Sequence, residues 1–395
     1  MSIVRQKNKL SKRRARPSPK KQPRPPFLMG HYVIIGGGGF LGTHIISKLQ
    51  SENCQRRIYI VDPHPRTFET INIDMRYVTI IKVRVLDRWL PCASAVFHLA
   101  SIGHTGLIGA DKKSVFDFNV EGTKLLVEKC KKYGVSRLLY ASSVAVAFVG
   151  DPLHNASEDD PLPDPSKYID FYSASKAEAE RFVLNESSET FKTMCLRFRA
   201  IYGPEDPNVT EKVARLIRRR LFIGMVSVHG RESISASSSV VNCANAFYCA
   251  DRELQKPEGL HGREYFITDA NNQGQYEFWE PLVRALGQTP PSRFIPHCLM
   301  TCFVRCCQFF CYNVCRISPL LTKFELAILA TDNTYSNARA QREIGYIPEP
   351  CLMPAVADYY RRRAETDRGW TLNWAVLMFL AVVIILLALV VVYRS

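Results

Sequence analysis

Apolar and helix-like segments alternate along the first half of the chain. Amphipathic helices are predicted over 40–51, 115–132 and 173–186, the last two from apolar positions three and four residues apart. Strands that alternate with helices form parallel sheets with both faces covered, so this half predicts an α/β fold with a doubly wound parallel sheet. The short apolar runs that predict its strands are 32–36, 57–62, 78–83, 95–99, 137–142 and 192–198.

The pattern becomes irregular after residue 200. Helices are predicted near 209–221, 240–254, 276–286 and 297–315, with one strand near 264–268. We therefore expect a smaller C-terminal substrate region, which covers the sheet as a lid or supplies a pocket.

A long apolar segment lies near the C-terminus. From Trp374 to Tyr393 the chain has 20 residues without a charge; as a helix they span roughly 30 Å, the thickness of the hydrocarbon core of a bilayer. Four arginines precede the segment and only Arg394 follows it, a bias that keeps the preceding domain cytosolic. A buried helix is the alternative. The pattern predicts a transmembrane helix over 372–393 in a single-pass, tail-anchored membrane protein, with the endoplasmic reticulum as the expected membrane.

Charge is concentrated at the N-terminus. The 395 residues carry a formal net charge of +15, from 52 Lys and Arg against 37 Asp and Glu, and ten of the basic residues lie within 1–25. With several prolines and no apolar run, residues 1–27 are predicted to be a disordered basic arm. Its role stays open between contact with anionic lipid, a receptor-read address and a solvated tail. The remaining chain is only mildly basic, so no nucleic-acid partner is expected.

Because the bulk of the chain is predicted to be cytosolic, its thirteen cysteines are expected to be thiols rather than disulfides. Six of them lie within 298–315 at spacings that place them along two stripes of one helix. Because only His297 is close and no CxxC pair is present, no metal site is predicted. We interpret the segment as an apolar helix packed on the core or lying on the membrane, with S-acylation as the alternative.

A glycine-rich loop follows the first predicted strand. Glycines at its GxxGxxG positions permit a tight turn, close approach of the backbone to a pyrophosphate and close packing of the next helix. Asp62 ends the second strand, where a carboxylate binds ribose hydroxyls and repels a 2′-phosphate. The sequence thus predicts NAD, while Arg66 leaves NADP as the minor alternative. The predicted cofactor-binding loop residues are Gly36, Gly37, Gly39, Phe40, Leu41 and Gly42.

A second motif, Tyr172-Ser-Ala-Ser-Lys176, begins the helix predicted over 173–186. The tyrosine and the lysine share one helical face, because they are four residues apart. An ammonium group near a phenol lowers its pKa, which would allow Tyr172 to accept a proton from a substrate hydroxyl. Ser143, at the end of the fifth strand, is placed to orient the substrate oxygen.

These motifs, in this order, resemble those of the extended short-chain dehydrogenase/reductases. Within that superfamily the chain resembles the 3β-hydroxysteroid dehydrogenase and sterol-4α-carboxylate 3-dehydrogenase group, over roughly residues 30–365. The matching segments are 36–42, 98–101, 119–123, 142–143, 172–176, 201–204, 265–269, 278–279 and 321–322.

The resemblance implies roles for four catalytic residues. Tyr172 is the acid/base, and Ser143 holds the substrate oxygen. Lys176 binds the nicotinamide ribose and lowers the pKa of the tyrosine, while Asn119 orders a proton-relay water. Asp87 is the candidate for the acid that contacts adenine.

The resemblance also implies a domain organisation and an activity. A Rossmann domain that binds NAD is expected over 28–200, and a substrate-binding, membrane-proximal region over 201–368. The implied function is a membrane-anchored oxidoreductase that transfers hydride between NAD and the 3β-hydroxyl or 3-keto group of a steroid or sterol. The bilayer is then a partner, and a homodimer stays open.

Two alternatives remain beside this function. One is an NADPH-dependent reductase of a non-steroid carbonyl, which Asp62 disfavours. The other is a non-catalytic, cofactor-binding membrane protein, which departures from the family pattern motivate. The departures are Ile35, Phe198, Ser239 and Val241; Phe198 and Val241 motivate this alternative, and the intact pair of Tyr172 and Lys176 opposes it.

Overall fold

The computed structural model describes residues 30–52, 56–103, 111–312, 319 and 321–366. Within these ranges the strands are β1 His31–Ile35, β2 Ile58–Val61, β3 Val78–Ile81, β4 Ala93–His98, β5 Arg137–Ser143, β6 Leu153–Ala156, β7 Lys192–Phe198, β8 Ile201–Tyr202, β9 Met225–Ser227, β10 Ile234–Ser235, β11 Ser238–Ser239, β12 Arg263–Ile267, β13 Gln273–Gly274, β14 Phe294–Pro296 and β15 Asn333–Tyr335. The α-helices are α1 Phe40–Ser51, α2 Lys112–Phe116, α3 Gly122–Lys132, α4 Phe171–Asn185, α5 Val209–Arg218, α6 Val240–Gln255, α7 Glu280–Ala285, α8 His297–Phe310, α9 Lys323–Ala330, α10 Ala338–Ile344 and α11 Met353–Thr366.

Seven strands form the main sheet, in the order β12-β7-β5-β4-β1-β2-β3. All neighbouring strands are parallel. The chain order reverses between β1 and β4, which is where such sheets open a crevice at the carboxyl ends of their strands. The prediction of a doubly wound α/β sheet is confirmed.

Helices cover both faces of this sheet because its strands alternate buried side chains between the two sides. Ile34 faces a cluster that α1 and α6 complete, with Ile45 and Phe247 among its members. Val33, the adjacent residue, faces the opposite cluster, where α3 contributes Val127. The sheet is therefore buried on both sides, as parallel sheets are.

The second half of the chain is built partly into the first. Strand β12 pairs with β7 along its whole length, and α6 packs on the main sheet. A four-stranded sheet of order β13-β10-β15-β6 and a cluster formed by α5, α7 and α11 lie beyond it.

Some predicted elements differ in detail. The helix predicted over 115–132 is interrupted by a π-helical turn at Asp117–Glu121, and the segment predicted over 276–286 divides into a 3₁₀ turn and α7. The segment predicted as a helix over 297–315 is α-helical to Phe310 and π-helical at 311–312, where this described range ends.

The predicted transmembrane helix over 372–393 falls outside the described residues, as does the basic arm 1–27. Among the residues that the structure describes, no helix is long and apolar enough to cross a membrane. The longest of them, α6, has 16 residues, whereas a span needs about 20. The prediction of a single-pass, tail-anchored membrane protein is corrected accordingly, and the fold class is the doubly wound sheet with its C-terminal region.

Candidate active site

The glycine loop between β1 and α1 lies at the crevice of the sheet. Gly36 has a φ of +84°, and a Cβ there would lie 2.9 Å from the backbone nitrogen of Ala100. A Cβ on Gly42 would lie 2.5 Å from the Cα of Gly37. Both positions therefore require glycine. Helix α1 begins directly after Gly39 with no side chain capping it, so its first N–H groups are available to an anion.

Asp62 lies beside this loop, one residue beyond β2. Its carboxylate accepts hydrogen bonds from the backbone N–H of Gly38 at 3.2 Å and of His64 at 2.9 Å. The N–H of Arg66 donates to the Gly38 carbonyl at 2.9 Å. The uncapped helix, the crowded glycines and this carboxylate together fit the pyrophosphate and ribose of a dinucleotide.

Asp87 is placed differently from its predicted role as an adenine contact. It lies in a 3₁₀ turn, Val83–Arg88, between β3 and β4. Its carboxylate pairs with the Lys129 ammonium of α3 at 2.5 Å, and this hydrogen bond lowers the pKa of Asp87. The acid is thus engaged in a surface ion pair, so the adenine contact stays a prediction.

Tyr172 lies in the first turn of α4, which begins because the Asp170 side chain accepts the Ser173 N–H at 2.7 Å. Its phenol lies close enough to Ser143, at the end of β5, and to Ser101, just beyond β4, for both hydroxyls to act on its pKa, which they lower. Burial raises the pKa of Tyr172 to about 12, and the nearby Asp170 adds to the rise. The structure thus brings Tyr172 and Ser143 together, but the expected lowering of the tyrosine pKa is not seen.

Lys176 explains that difference, because its ammonium is directed to other groups. Its Nζ donates to the Ala141 carbonyl at 2.7 Å and to the Tyr140 hydroxyl at 3.3 Å. It also lies 4.6 Å from the centre of the Tyr140 ring. Burial lowers the pKa of Lys176 to about 7. Tyr140 was not predicted from the sequence, since nothing in an apolar strand marks one tyrosine as a neighbour of the lysine.

Asn119 lies in the π-helical turn Asp117–Glu121 and its amide is fully engaged. Its Nδ2 donates to the Ile102 carbonyl and to Ser175 Oγ, each at 2.9 Å, while its Oδ1 accepts the Ile102 N–H at 2.9 Å. Asn119 therefore holds the segment after β4 against α4. Its predicted role in ordering a water stays a prediction.

His98, at the end of β4, is connected to Asn119 through the Thr123 hydroxyl. The Thr123 hydroxyl donates its one proton to the Asn119 carbonyl at 2.6 Å. The same hydroxyl must therefore accept a hydrogen bond from His98 Nε2, which lies 2.8 Å away. Full burial, with Lys176 nearby, lowers the pKa of His98 to about 3. A neutral, packed histidine agrees with its position in an apolar strand.

Asp269 is a structural residue of the site that the motifs alone did not reveal. It follows β12, and its carboxylate accepts hydrogen bonds from the Tyr202 hydroxyl and Asn242 Nδ2, both at 2.7 Å, and from the Ser239 N–H at 2.8 Å. It therefore joins the end of β8 to the start of α6. Its position at the end of the matching segment 265–269 was the one available signal.

Comparison with known proteins agrees with this geometry. The sequence model of the 3-beta hydroxysteroid dehydrogenase/isomerase family matches residues 33–298. The chain belongs to this family. It is 34% identical over 370 residues to the Caenorhabditis elegans 3beta-hydroxysteroid dehydrogenase/Delta(5)-Delta(4) isomerase 1, covering 85% of the chain and 79% of that protein.

Two further proteins place this member of the 3-beta hydroxysteroid dehydrogenase/isomerase family. The Mus musculus sterol-4-alpha-carboxylate 3-dehydrogenase, decarboxylating, is 27% identical over 329 residues, covering 82% of the chain and 88% of that protein. A crystal structure of UDP-glucuronic acid 4-epimerase from Bacillus cereus in complex with NAD superposes with a TM-score of 0.62 at 18% identity, covering 85% and 99% of the two chains. The predicted family and its oxidoreductase class are confirmed.

The departures from the family pattern are accommodated by packing and capping. Phe198 is buried against Phe247, with ring centroids 5.4 Å apart. Ser239 caps α6 by accepting the Asn242 N–H at 3.3 Å, and Val241 packs at the edge of the cluster around Phe40. In this family member the replaced residues therefore stabilise the region around the site.

Proposed function

We propose that this family member transfers hydride between NAD and the 3β-hydroxyl or 3-keto group of a steroid or sterol. The observation that carries the proposal is the proximity of the Tyr172 and Ser143 hydroxyls, at the same carboxyl edge of the sheet as the glycine loop. The names of the C. elegans and mouse relatives support the substrate class.

Each part of the site has a separate task in this proposal. Residues 36–42 and the first N–H groups of α1 hold the pyrophosphate, and Asp62 binds the adenosine ribose. Bound NAD supplies the hydride acceptor. Ser143 and Tyr172 hold the substrate oxygen between their hydroxyls, so that the substrate lies in one orientation.

Tyr172 carries the proton. With its pKa raised to about 12 it is a phenol at neutral pH, which is the form that donates a proton to a 3-ketone during reduction. Oxidation requires the phenolate, and a nearby cation is the group that stabilises it. We assign that task to Lys176 in its protonated form, whose described hydrogen-bond acceptors, Tyr140 and the Ala141 carbonyl, are both uncharged.

The test is direct. Purified enzyme is supplied with NAD and a panel of 3β-hydroxysterols, and NADH is followed by absorbance; the 3α-epimers control for stereochemistry. The reverse reaction is followed with NADH and 3-ketosteroids. Tyr172→Phe should abolish turnover, whereas Tyr168→Phe, which removes a hydroxyl bound to the Val146 carbonyl outside the pair, should retain it.

Two results would overturn the proposal. One is turnover by Tyr172→Phe at the wild-type rate. The other is NAD binding without turnover of any 3-oxygenated sterol in either direction.

A further inference from the structure

Helix α8 presents a row of thiols to solvent, away from the candidate active site. It packs on β9 and α9 through Phe303 and Val304, the two buried residues among those it contributes. Cys298 and Cys302 are exposed on its other side, and Cys306 is half-buried. At four-residue spacing these three lie along one stripe, about 6 Å from one to the next. The sequence left open whether this helix packs on the core or lies on a membrane. In the structure one side of α8 packs on the core, and the side that carries these thiols does not.

The same face carries exposed apolar side chains. Leu299 is 44% exposed and Phe309 is 61% exposed, and helical spacing puts both beside the thiol stripe. Exposed apolar side chains beside one another form a surface that an apolar group can cover. The cysteines next to it supply nucleophiles through which an apolar chain can be attached.

We propose that α8 is an S-acylation site, at which Cys298 and Cys302, with Cys306 as the third acceptor, carry long-chain fatty acyl groups. The acyl chains would lie over Leu299 and Phe309 and remove their side chains from water. This proposal does not depend on the reaction proposed above, because none of these residues contacts the candidate active site.

The chemistry is thioester exchange with a long-chain acyl-CoA. The cysteine sulfur attacks the carbonyl carbon of the acyl-CoA thioester, and a new carbon–sulfur bond forms. The bond to the CoA sulfur breaks, and the proton of the cysteine thiol ends on the CoA thiol, so no oxidant or reductant is consumed. Burial and the neighbouring Cys302 thiol raise the pKa of Cys306, which lowers the fraction of Cys306 that is the nucleophilic thiolate.

The experiment uses the full chain expressed in cultured animal cells that are fed alkyne-tagged palmitate. The purified protein is coupled to a fluorophore through the alkyne and then treated with neutral hydroxylamine, which cleaves thioesters. In parallel, free thiols are blocked, thioesters are cleaved, and the released thiols are counted by their mass shift with a maleimide polymer. We expect a label that hydroxylamine removes.

Matched variants locate the label. The combined change Cys298→Ser, Cys302→Ser and Cys306→Ser should lose it, and Cys302→Ser alone should lose part of it. Cys92→Ser, which removes an exposed thiol on a different part of the surface, should keep the full label. Thermal unfolding of each variant checks that it is folded.

Three outcomes would overturn the proposal. The first is a wild-type chain that carries no hydroxylamine-sensitive label although its α8 thiols react freely with maleimide. The second is a triple variant that retains the full label. The third is a set of blocked α8 thiols that dithiothreitol releases and hydroxylamine does not, which would assign them to disulfide chemistry.

Discussion

The pKa of Lys176 has a measurable effect on stability. Its side chain is 2% exposed, and burial lowers the pKa of the ammonium from 10.5 to about 7. Between these two values the unfolded chain holds a proton that the folded protein has released. The free energy of unfolding therefore rises with pH across this window. Since each pH unit is worth ~1.4 kcal/mol, the cofactor-free protein should gain about 3 kcal/mol from this one residue between pH 6 and pH 9.

Lys176→Met removes the titrating group and with it the pH dependence that it causes. Urea unfolding of both proteins without cofactor, followed by tryptophan fluorescence at constant ionic strength, gives the difference in unfolding free energy at each pH. That difference should grow in favour of the wild type by about 3 kcal/mol from pH 6 to pH 9. Lys132→Met removes the same charge from an exposed position on α3 and controls for net charge. Parallel curves for wild type and Lys176→Met would refute the reasoning.

Three other predictions concern the proposed site. Tyr172→Phe should lower kcat by about 10²–10⁴-fold with NAD affinity unchanged in a fluorescence titration; a lost affinity would instead assign the hydroxyl to cofactor binding. Asp62→Ala should reduce the preference for NAD over NADP by about tenfold in kcat/KM, and an unmoved ratio would contradict the role of that carboxylate. Gly42→Ala should abolish NAD binding in calorimetry, because its Cβ meets the Gly37 backbone at 2.5 Å, whereas Gly122→Ala, with its nearest neighbour at 3.7 Å, should bind normally.

The parts of the fold that follow from local patterns were predictable. The strand His31–Ile35, the glycine loop and α1 occur where apolar runs and glycine spacing placed them. The π-helical turn at Asp117–Glu121 was not predicted. It holds Asn119 in contact with Ile102 and Ser175, and such tertiary hydrogen bonds leave no mark on the periodicity of a helix.

The candidate site shows the same division. Spacing placed Tyr172 and Lys176 on one face of α4, which the structure shows. It did not predict that Lys176 contacts Tyr140, because this depends on how β5 packs against the helix. The ion pair of Asp87 with Lys129 was not predicted either, because it joins residues that are 42 positions apart in the sequence.

The pairing of β12 with β7 has a consequence for how the protein is made. Strand β7 is an interior strand of the finished sheet, second from its edge, with every residue of Lys192–Phe198 buried. Its outer neighbour Arg263–Ile267 leaves the ribosome about 70 residues later, after several seconds of synthesis at ~5–20 residues per second. During that interval β7 is an unprotected apolar edge strand, the kind of surface that pairs with other chains. Chaperone binding to the nascent chain is therefore expected to concentrate on this strand until residue 267 has emerged.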